Sequence, residues 1–367
     1  MRALAVLLVI GYHLNLIGIG WVGVQLFFVL SGFLITRLLL ELRAKQPLLA
    51  YLKTFYGRRA LRIFPAYYLY LMLLLLFLWA LPLAQREPVA AQWGYAASYT
   101  SNWLGMTRYH EKTYFLDHLW SLAVEEQFYL LWPLLLFAIP RRRLPWALLA
   151  LVLAGPLLRM ALHAYWPSLR FAEPAALPYA IAVCTASQLD AFATGALLCF
   201  FGEGLRRWRY PGLWLAAALL LAWLVGAGIN GAGWAPMQTY GAYLTLGYPN
   251  TLPAQQQFIW GYSVINLLAA LLIALVVYAR FAAGLFRHAW MAYLGRISYG
   301  VYLLHFPLAH LTSPAVFRIQ ELTGANLYVC LLLYAPFYLC LLLGLSALSY
   351  ELFEQRFLRL KDRWFPS

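Results

Sequence analysis

Arg2 and His13 stand eleven residues apart in RALAVLLVIGYH, at the start of the chain. On a helix that spacing is about three turns, so both side chains share one face, roughly 16 Å apart along the axis. An imidazole in so apolar a run is either a packed core histidine with a satisfied hydrogen bond or a general base able to take a proton from a hydroxyl. A second constellation lies in DHLWSLAVEEQFYLLWP, 117–133, where Glu125 and Glu126 are adjacent. Neighbours on a helix point about 100° apart, so one carboxylate is expected to pair with His13 and raise its basicity while the other engages an arginine. A purely structural buried ion pair is the alternative. The third constellation is YGRRALRIFPAYYLY, 56–70. Its Arg58, Arg59 and Arg62, at i,i+3 and i,i+4 spacing, can form one patch that grips phosphates bidentately, a more specific arrangement than a basic helix flank requires.

Ser31, Gln127, Asp190 and His305 also lie in apolar stretches. A charge at such a depth costs several kcal/mol and needs a partner or a role. Asp190 and His305, with His118 and Asn102 near the same level, are expected close to the outer face, either as a carbohydrate site or as interface anchors and helix caps. Glu354 is expected to pair with nearby arginines.

The elements that must position these residues are membrane helices. Of 367 residues, 64% are hydrophobic and 11% charged, with a mean hydropathy of +0.69, a composition no water-soluble domain of this length tolerates. Apolar runs of about 18 to 24 residues recur and period-two alternation is absent. The fold is therefore read as all-α: a polytopic bundle of about ten transmembrane helices forming one domain, 1–367. The spans are expected near 2–19, 21–42, 60–82, 117–139, 144–165, 186–203, 210–229, 258–279, 288–311 and 326–350. The first reads as a retained anchor, not a cleaved signal.

With the N-terminus in the cytoplasm, Arg43, Lys45, Lys53, the 58–62 arginines, Arg141 to Arg143, Arg206, Arg207, Arg209, Arg280, Arg287 and a tail 351–367 lie inside. Little beyond Arg86, Arg108, Lys112, Arg170 and Arg318 is then outside, so both termini are expected to be cytoplasmic. The loop 84–116 is expected on the outer face, its segment 88–103 re-entrant or interfacial. The outer loops 166–185 and 230–257 are rich in Gly, Pro, Tyr and Trp, which suits an aromatic belt or sugar stacking. The net charge of +14 is read as topological, with no nucleic-acid partner, and Cys184, Cys199, Cys330 and Cys340 lack the spacing of a disulfide frame or a zinc site.

Taken in order, RALAVLLVIGYH, GVQLFFVLSGFLIT (23–36), RRALRIFPAYY, HLWSLAVEEQFYLLWP, LGRISYGVYLLHFP (294–307) and SYELFEQRF (349–357) resemble the membrane-bound acyltransferase family 3, over essentially the whole chain. The resemblance implies that Arg2 and His13 are the family's first-helix arginine and essential histidine, and that Arg59 and Arg62 carry its RxxR motif. It implies a multi-pass O-acyltransferase of the inner (cytoplasmic) membrane, of the O-antigen and exopolysaccharide acetylase type. Such an enzyme moves an acyl group, acetyl foremost, from cytoplasmic acyl-CoA to a hydroxyl of a carbohydrate such as a surface polysaccharide or lipopolysaccharide, without a metal. Arg2, Arg58, Arg59 and Arg62 would hold the CoA phosphates, and the pantetheine arm would reach towards His13. Ser31 would line the tunnel or donate to the thioester oxygen, unless it only packs. His13 would act as base or as transient acyl carrier, oriented by Glu126 or Glu125. Asn102, His118, Trp120, Ser121, Asp190, Tyr299 and His305 are the candidate acceptor residues.

The resemblance leads one to expect a leader before Arg2, so a truncated or miscalled start is expected, and the extracytoplasmic hydrolase-like domain many bacterial members carry is expected to be missing, so that the protein acts alone or with a separate partner. Two other classes compete. A proton-coupled transporter or flippase would use His13 and the glutamates as a relay, but it wants an inverted repeat and gives the arginine patch no role. A glycan polymerase or ligase would want an arginine-bearing outer loop, and the outer loops here are arginine-poor.

Overall fold

The computed structural model describes residues 1–169, 176–207, 210–230 and 257–366. The expectations placed on Arg170, Arg209 and the loop 231–256 lie outside the described residues. The described residues form helices, in the order α1 (Arg2–His13), α2 (Val22–Arg43), α3 (Leu48–Leu76), α4 (Leu83–Ala97), α5 (Trp120–Ala138), α6 (Leu144–Tyr165), α7 (Leu177–Val183), α8 (Thr185–Phe201), α9 (Pro211–Asn230), α10 (Gln257–Val277), α11 (Ala289–Thr312), α12 (Pro314–Thr323), α13 (Leu327–Ser349) and, after one π turn, α14 (Gln355–Trp364).

Each apolar stretch expected to span is helical, but among the described residues five helices are long and apolar enough to cross a bilayer, or six if the bent pair α7 and α8 is one span. The shortfall against ten has a physical reason. Helix α1 has only 12 residues, while α5 and α11 are diluted by the polar residues that build the site. Helix α3 also begins at Leu48, ahead of the span expected near 60, so Arg58, Arg59 and Arg62 sit within a helix and not at its start. The expected re-entrant segment is α4 and a one-turn helix, Ser101–Leu104, folded back onto α3 by Tyr67 Oη donating to Ala96 O at 2.8 Å and Trp93 Nε1 to Leu71 O at 3.1 Å.

Helix α1 packs between α2 and α11, and α2 crosses α8 backbone to backbone. A Cβ on Gly32 would lie 2.0 Å from Phe192 O, and one on Gly195 would lie 1.8 Å from Val29 O. Only hydrogen side chains permit this approach, the small-residue packing expected where lipid gives helices no hydrophobic drive to associate. Gly195→Leu is therefore expected to cost about 1–3 kcal/mol or more through overpacking. Size-exclusion yield and the thermal midpoint should fall, whereas Gly284→Leu, whose Cβ meets nothing within 4 Å, should leave both unchanged.

Basic residues gather at one end of the bundle. Arg43 donates to Leu136 O and, at 2.8 Å, to Ile139 O, and Arg58 pairs with Asp362 at 3.1 Å. Arg2 lies at this end, close enough to Arg62 for their charges to interact, while His13 is at the opposite end of α1. The start of α1 and helix α14 thus lie at the same end, because Lys361 of α14 is also close enough to Arg62 for their charges to interact.

Candidate active site

A cavity opens between α1, α2, α3, α5 and α11. Its polar lining is Arg2, Ser31, Arg59, Arg62, Ser121, Glu125, Glu126, Tyr129, Ser298, Tyr299 and Tyr302, and Phe27, Phe28 and Ile63 add apolar wall. Glu125 accepts from Ser31 Oγ at 2.5 Å and from the Tyr129 hydroxyl, so neutral hydroxyls hold this carboxylate. Arg59 lies over the rings of Phe55 and Tyr129 at 5.8 and 5.3 Å, and its Nε is buried without a partner. Among the described residues, no carboxylate lies within 4.0 Å of Arg2, Arg59 or Arg62 in an ion pair. The charges of the three guanidiniums act on one another and on Glu125, and the buried Arg59 Nε is an unused donor. Three arginines against carboxylates none of which forms a close ion pair with them leave donors that suit a bidentate phosphate.

The second feature is a histidine cluster. Pro307 has no N–H, which frees the carbonyl of Leu303 one turn earlier in α11. His118 takes that carbonyl through Nε2 at 3.0 Å. His305, fully buried, places Nδ1 2.6 Å from Tyr302 O, and its Nε2 lies 3.2 Å from His13 Nδ1. His13 Nδ1 is also 3.0 Å from Val9 O. A carbonyl can only accept, so the nitrogen facing each carbonyl bears the proton. That assignment leaves His305 Nε2 as acceptor for the His13 Nδ1 proton and His13 Nε2 with a lone pair to use as a base. The ring of Phe306 flanks His13 at 4.6 Å, and Tyr114 lies 5.9 Å from Phe306, a continuous aromatic wall towards the exposed side of Tyr114. Tyr302 and Ser121 stand between cavity and cluster. Both line the cavity and each hydroxyl lies 3.2 Å from His118 O; with one proton apiece, one hydroxyl donates to the other, which donates to His118 O.

Several sequence expectations are corrected. Neither glutamate contacts His13: Glu125 and Glu126 belong to the arginine cavity, and the partner of His13 is His305. The eleven-residue separation of Arg2 and His13 puts the two at different ends of one short helix, so the carboxylates that reach the arginines lie too far along the axis to reach the imidazole. Arg58 does not join the cavity patch; it bonds Asp362 and, at 2.5 Å, Phe365 O. Arg2 takes its place. Ser31 is bonded to Glu125 on the cavity wall and is more than a packing residue. Glu354 is buried with Ser349 Oγ as donor at 3.3 Å; among the described residues no arginine lies within 4.0 Å of it, but Arg62 is near enough for its charge to act on it.

Asp190 forms no site with His118 and His305. It is paired at 2.8 Å with Arg159, which the sequence reading passed over although an arginine inside the span 144–165 was itself a signal. Asn102 bonds Val183 O at 3.1 Å and Thr185 Oγ1 at 3.0 Å, stitching the backbone where α7 and α8 bend by 49°. Trp120 packs its ring against Phe28 at 6.3 Å, off the cavity. Ser121 and Tyr299 do line it, with the Tyr299 hydroxyl buried and unpartnered.

An all-helical bundle with an arginine-lined cavity near one end of the first helix and a histidine at the other has the features of a membrane acyltransferase. The family model described as "Acyltransferase domain" matches residues 1–350, and the chain belongs to that family, the acyltransferase 3 family. It is 30% identical over 346 residues to the peptidoglycan O-acetyltransferase OatA of Listeria monocytogenes, covering 90% of this chain and 51% of that protein. To the putative peptidoglycan O-acetyltransferase YrhL of Bacillus subtilis it is 32% identical over 338 residues, covering 86% and 48%. A putative O-acetyltransferase of Staphylococcus aureus, SACOL0978, shares 42% identity over 149 residues. The chain spans about half the length of the first two relatives. No solved structure matches it significantly.

Proposed function

We propose that this protein is an O-acetyltransferase of the cytoplasmic membrane that carries an acyl group from acyl-CoA on the cytoplasmic side to a hydroxyl of a carbohydrate on the other. The observation that carries the reading is a cavity lined by three arginines, none in close ion-pair contact with a carboxylate among the described residues, at one end of a 12-residue helix that carries His13 at its other end. The basic end of the bundle is the cytoplasmic end, following the positive-inside rule. The CoA phosphates lie against Arg2, Arg59 and Arg62, and the pantetheine arm extends past Ser121 and Tyr302. His13 Nε2 takes the proton of the acceptor hydroxyl as its oxygen attacks the thioester carbonyl. The tetrahedral intermediate collapses with loss of CoA thiolate, which is then protonated. His305 is a positioning residue that accepts the Nδ1 hydrogen bond and fixes the tautomer. The acceptor enters along Tyr114 and Phe306. The names of the relatives support a cell-wall glycan as acceptor and acetyl as the group.

Purified protein given acyl-CoA labelled in the acyl group and a glycan acceptor should move label to the acceptor as an alkali-labile ester. Label that crosses the membrane without forming an ester would instead establish the transporter reading. In the same assay Arg62→Gln should raise the KM for acyl-CoA by roughly tenfold to a hundredfold, the worth of one charged hydrogen bond to phosphate. Arg318→Gln, in an exposed pair with Glu321 on α12, should leave KM unchanged.

A further inference from the structure

We propose that α14 completes the donor site, with Lys361 binding a phosphate farther from the reacting end of the donor than those held by Arg59 and Arg62. The inference rests on reading the cavity as an acyl-CoA site and goes beyond it by assigning a binding role to a helix outside the cavity lining. Arg58 fastens α14 to α3 through Asp362 at 3.1 Å and Phe365 O at 2.5 Å. The Phe365 ring occupies the space a side chain on Gly57 would fill, since a Cβ there would lie 2.3 Å from the ring. This docking turns Lys361 inward, with its side chain only 16% exposed, while Arg356, Arg359 and Arg363 face outward.

Inward, Lys361 meets like charge. Arg58 and Arg62 are both close enough to act on it, and Arg62 is a cavity residue. Among the described residues, the carboxylate paired with this group is Asp362, 3.5 Å from Lys361 Nζ, itself 65% exposed and shared with Arg58. Lys361 and Arg58 share this one solvent-facing carboxylate, and Arg62, whose charge reaches both Lys361 and the buried Glu354, has no carboxylate within 4.0 Å among the described residues, so the three cations are short of close negative charge. The charge of Lys361 acts on Arg62, and that of Arg62 on Arg59 and Arg2, so the cations run in order from α14 to the cavity. Coenzyme A has a matching linear order: thioester, pantetheine, diphosphate, then the 3′-phosphate on the ribose. With the thioester towards His13 and the diphosphate at the cavity arginines, the 3′-phosphate falls at Lys361.

Binding titrations of the full chain in phosphatidylcholine nanodiscs test this, using CoA and 3′-dephospho-CoA with wild type and Lys361→Gln. Lys361→Gln should weaken CoA binding about tenfold, as expected for loss of one charged hydrogen bond, and leave dephospho-CoA binding unchanged. Equal CoA affinity in the two proteins, or an equal loss for both ligands, overturns the inference while leaving the donor site standing. Absence of CoA binding to wild type sinks the acyl-CoA reading and this inference together. Nanodiscs containing phosphatidylglycerol separate the other source of phosphate: a lysine-dependent response to that lipid with unchanged CoA affinity would reassign Lys361 to a lipid headgroup and overturn the proposal.

Discussion

His13→Ala is expected to lower the rate of acyl transfer by about 10³-fold, within the range general-base removal usually produces, while membrane abundance and the thermal midpoint stay near wild type. The imidazole is half-buried at the last turn of α1, and its polar partners are one backbone carbonyl and one other histidine, so its removal leaves no charge unpaired. Single-turnover measurement with saturating acyl-CoA separates chemistry from binding. A variant of normal abundance that still transfers at the wild-type rate would sink the base assignment. His305 supplies the companion experiment. His305→Ala removes the acceptor for His13 Nδ1–H and should lower kcat about tenfold with little change in KM, the worth of one neutral hydrogen bond. His305→Gln can present an amide oxygen near the same place and should recover most of the rate. A merely structural role for His305 would give the two variants similar rates at equal folded yield.

The second large effect lies away from the chemistry. Arg159 and Asp190 are both buried, and the guanidinium makes four hydrogen bonds through all three of its nitrogens: Nε to Ile259 O at 2.7 Å, Nη1 to Ser187 O at 2.6 Å, and Nη2 to Asp190 Oδ2 at 2.8 Å and Ser263 Oγ at 2.7 Å. One side chain thereby ties α6, α8 and α10 together. Arg159→Met leaves Asp190 as an unpaired buried carboxylate, and the expected loss is about 3–5 kcal/mol, enough to remove most folded protein. The double variant Arg159→Met with Asp190→Leu replaces both charges by apolar volume and should recover part of that loss, because the orphaned charge is gone even though two carbonyls lose their donor. Thermal unfolding of detergent-solubilised protein measures both. Folded double variant with wild-type transfer per molecule would establish that Asp190 is structural; lost acceptor transfer at normal stability would return it to the acceptor site.

These two cases mark where the sequence was informative. The arginine with a histidine eleven residues on, the RxxR at 59 and 62, and the paired glutamates are local spacings, legible because a helix converts sequence separation directly into face and height. The all-helical class and most helix positions follow from apolar runs, since lipid leaves the backbone no other way to satisfy its hydrogen bonds there. Partnership between helices is a different matter. Nothing local states that His13 meets residue 305 instead of residues 125 and 126, that Arg58 turns to a carboxylate some three hundred positions later, or that Arg159 was the cation Asp190 required.

What the sequence determined by itself is thus the inventory and its vertical placement: which polar residues lie in apolar helices, at what height, and on which face. What only the tertiary structure decided is which of them meet. Glycine contacts such as Gly32 and Gly195 set how closely and at what rotation two helices cross, and that rotation selects the facing side chains. The packing of α1 on α11 brings His305 to His13, and that of α2 on α5 carries Glu125 to Ser31, separating one polar inventory into an arginine-lined cavity and a histidine cluster.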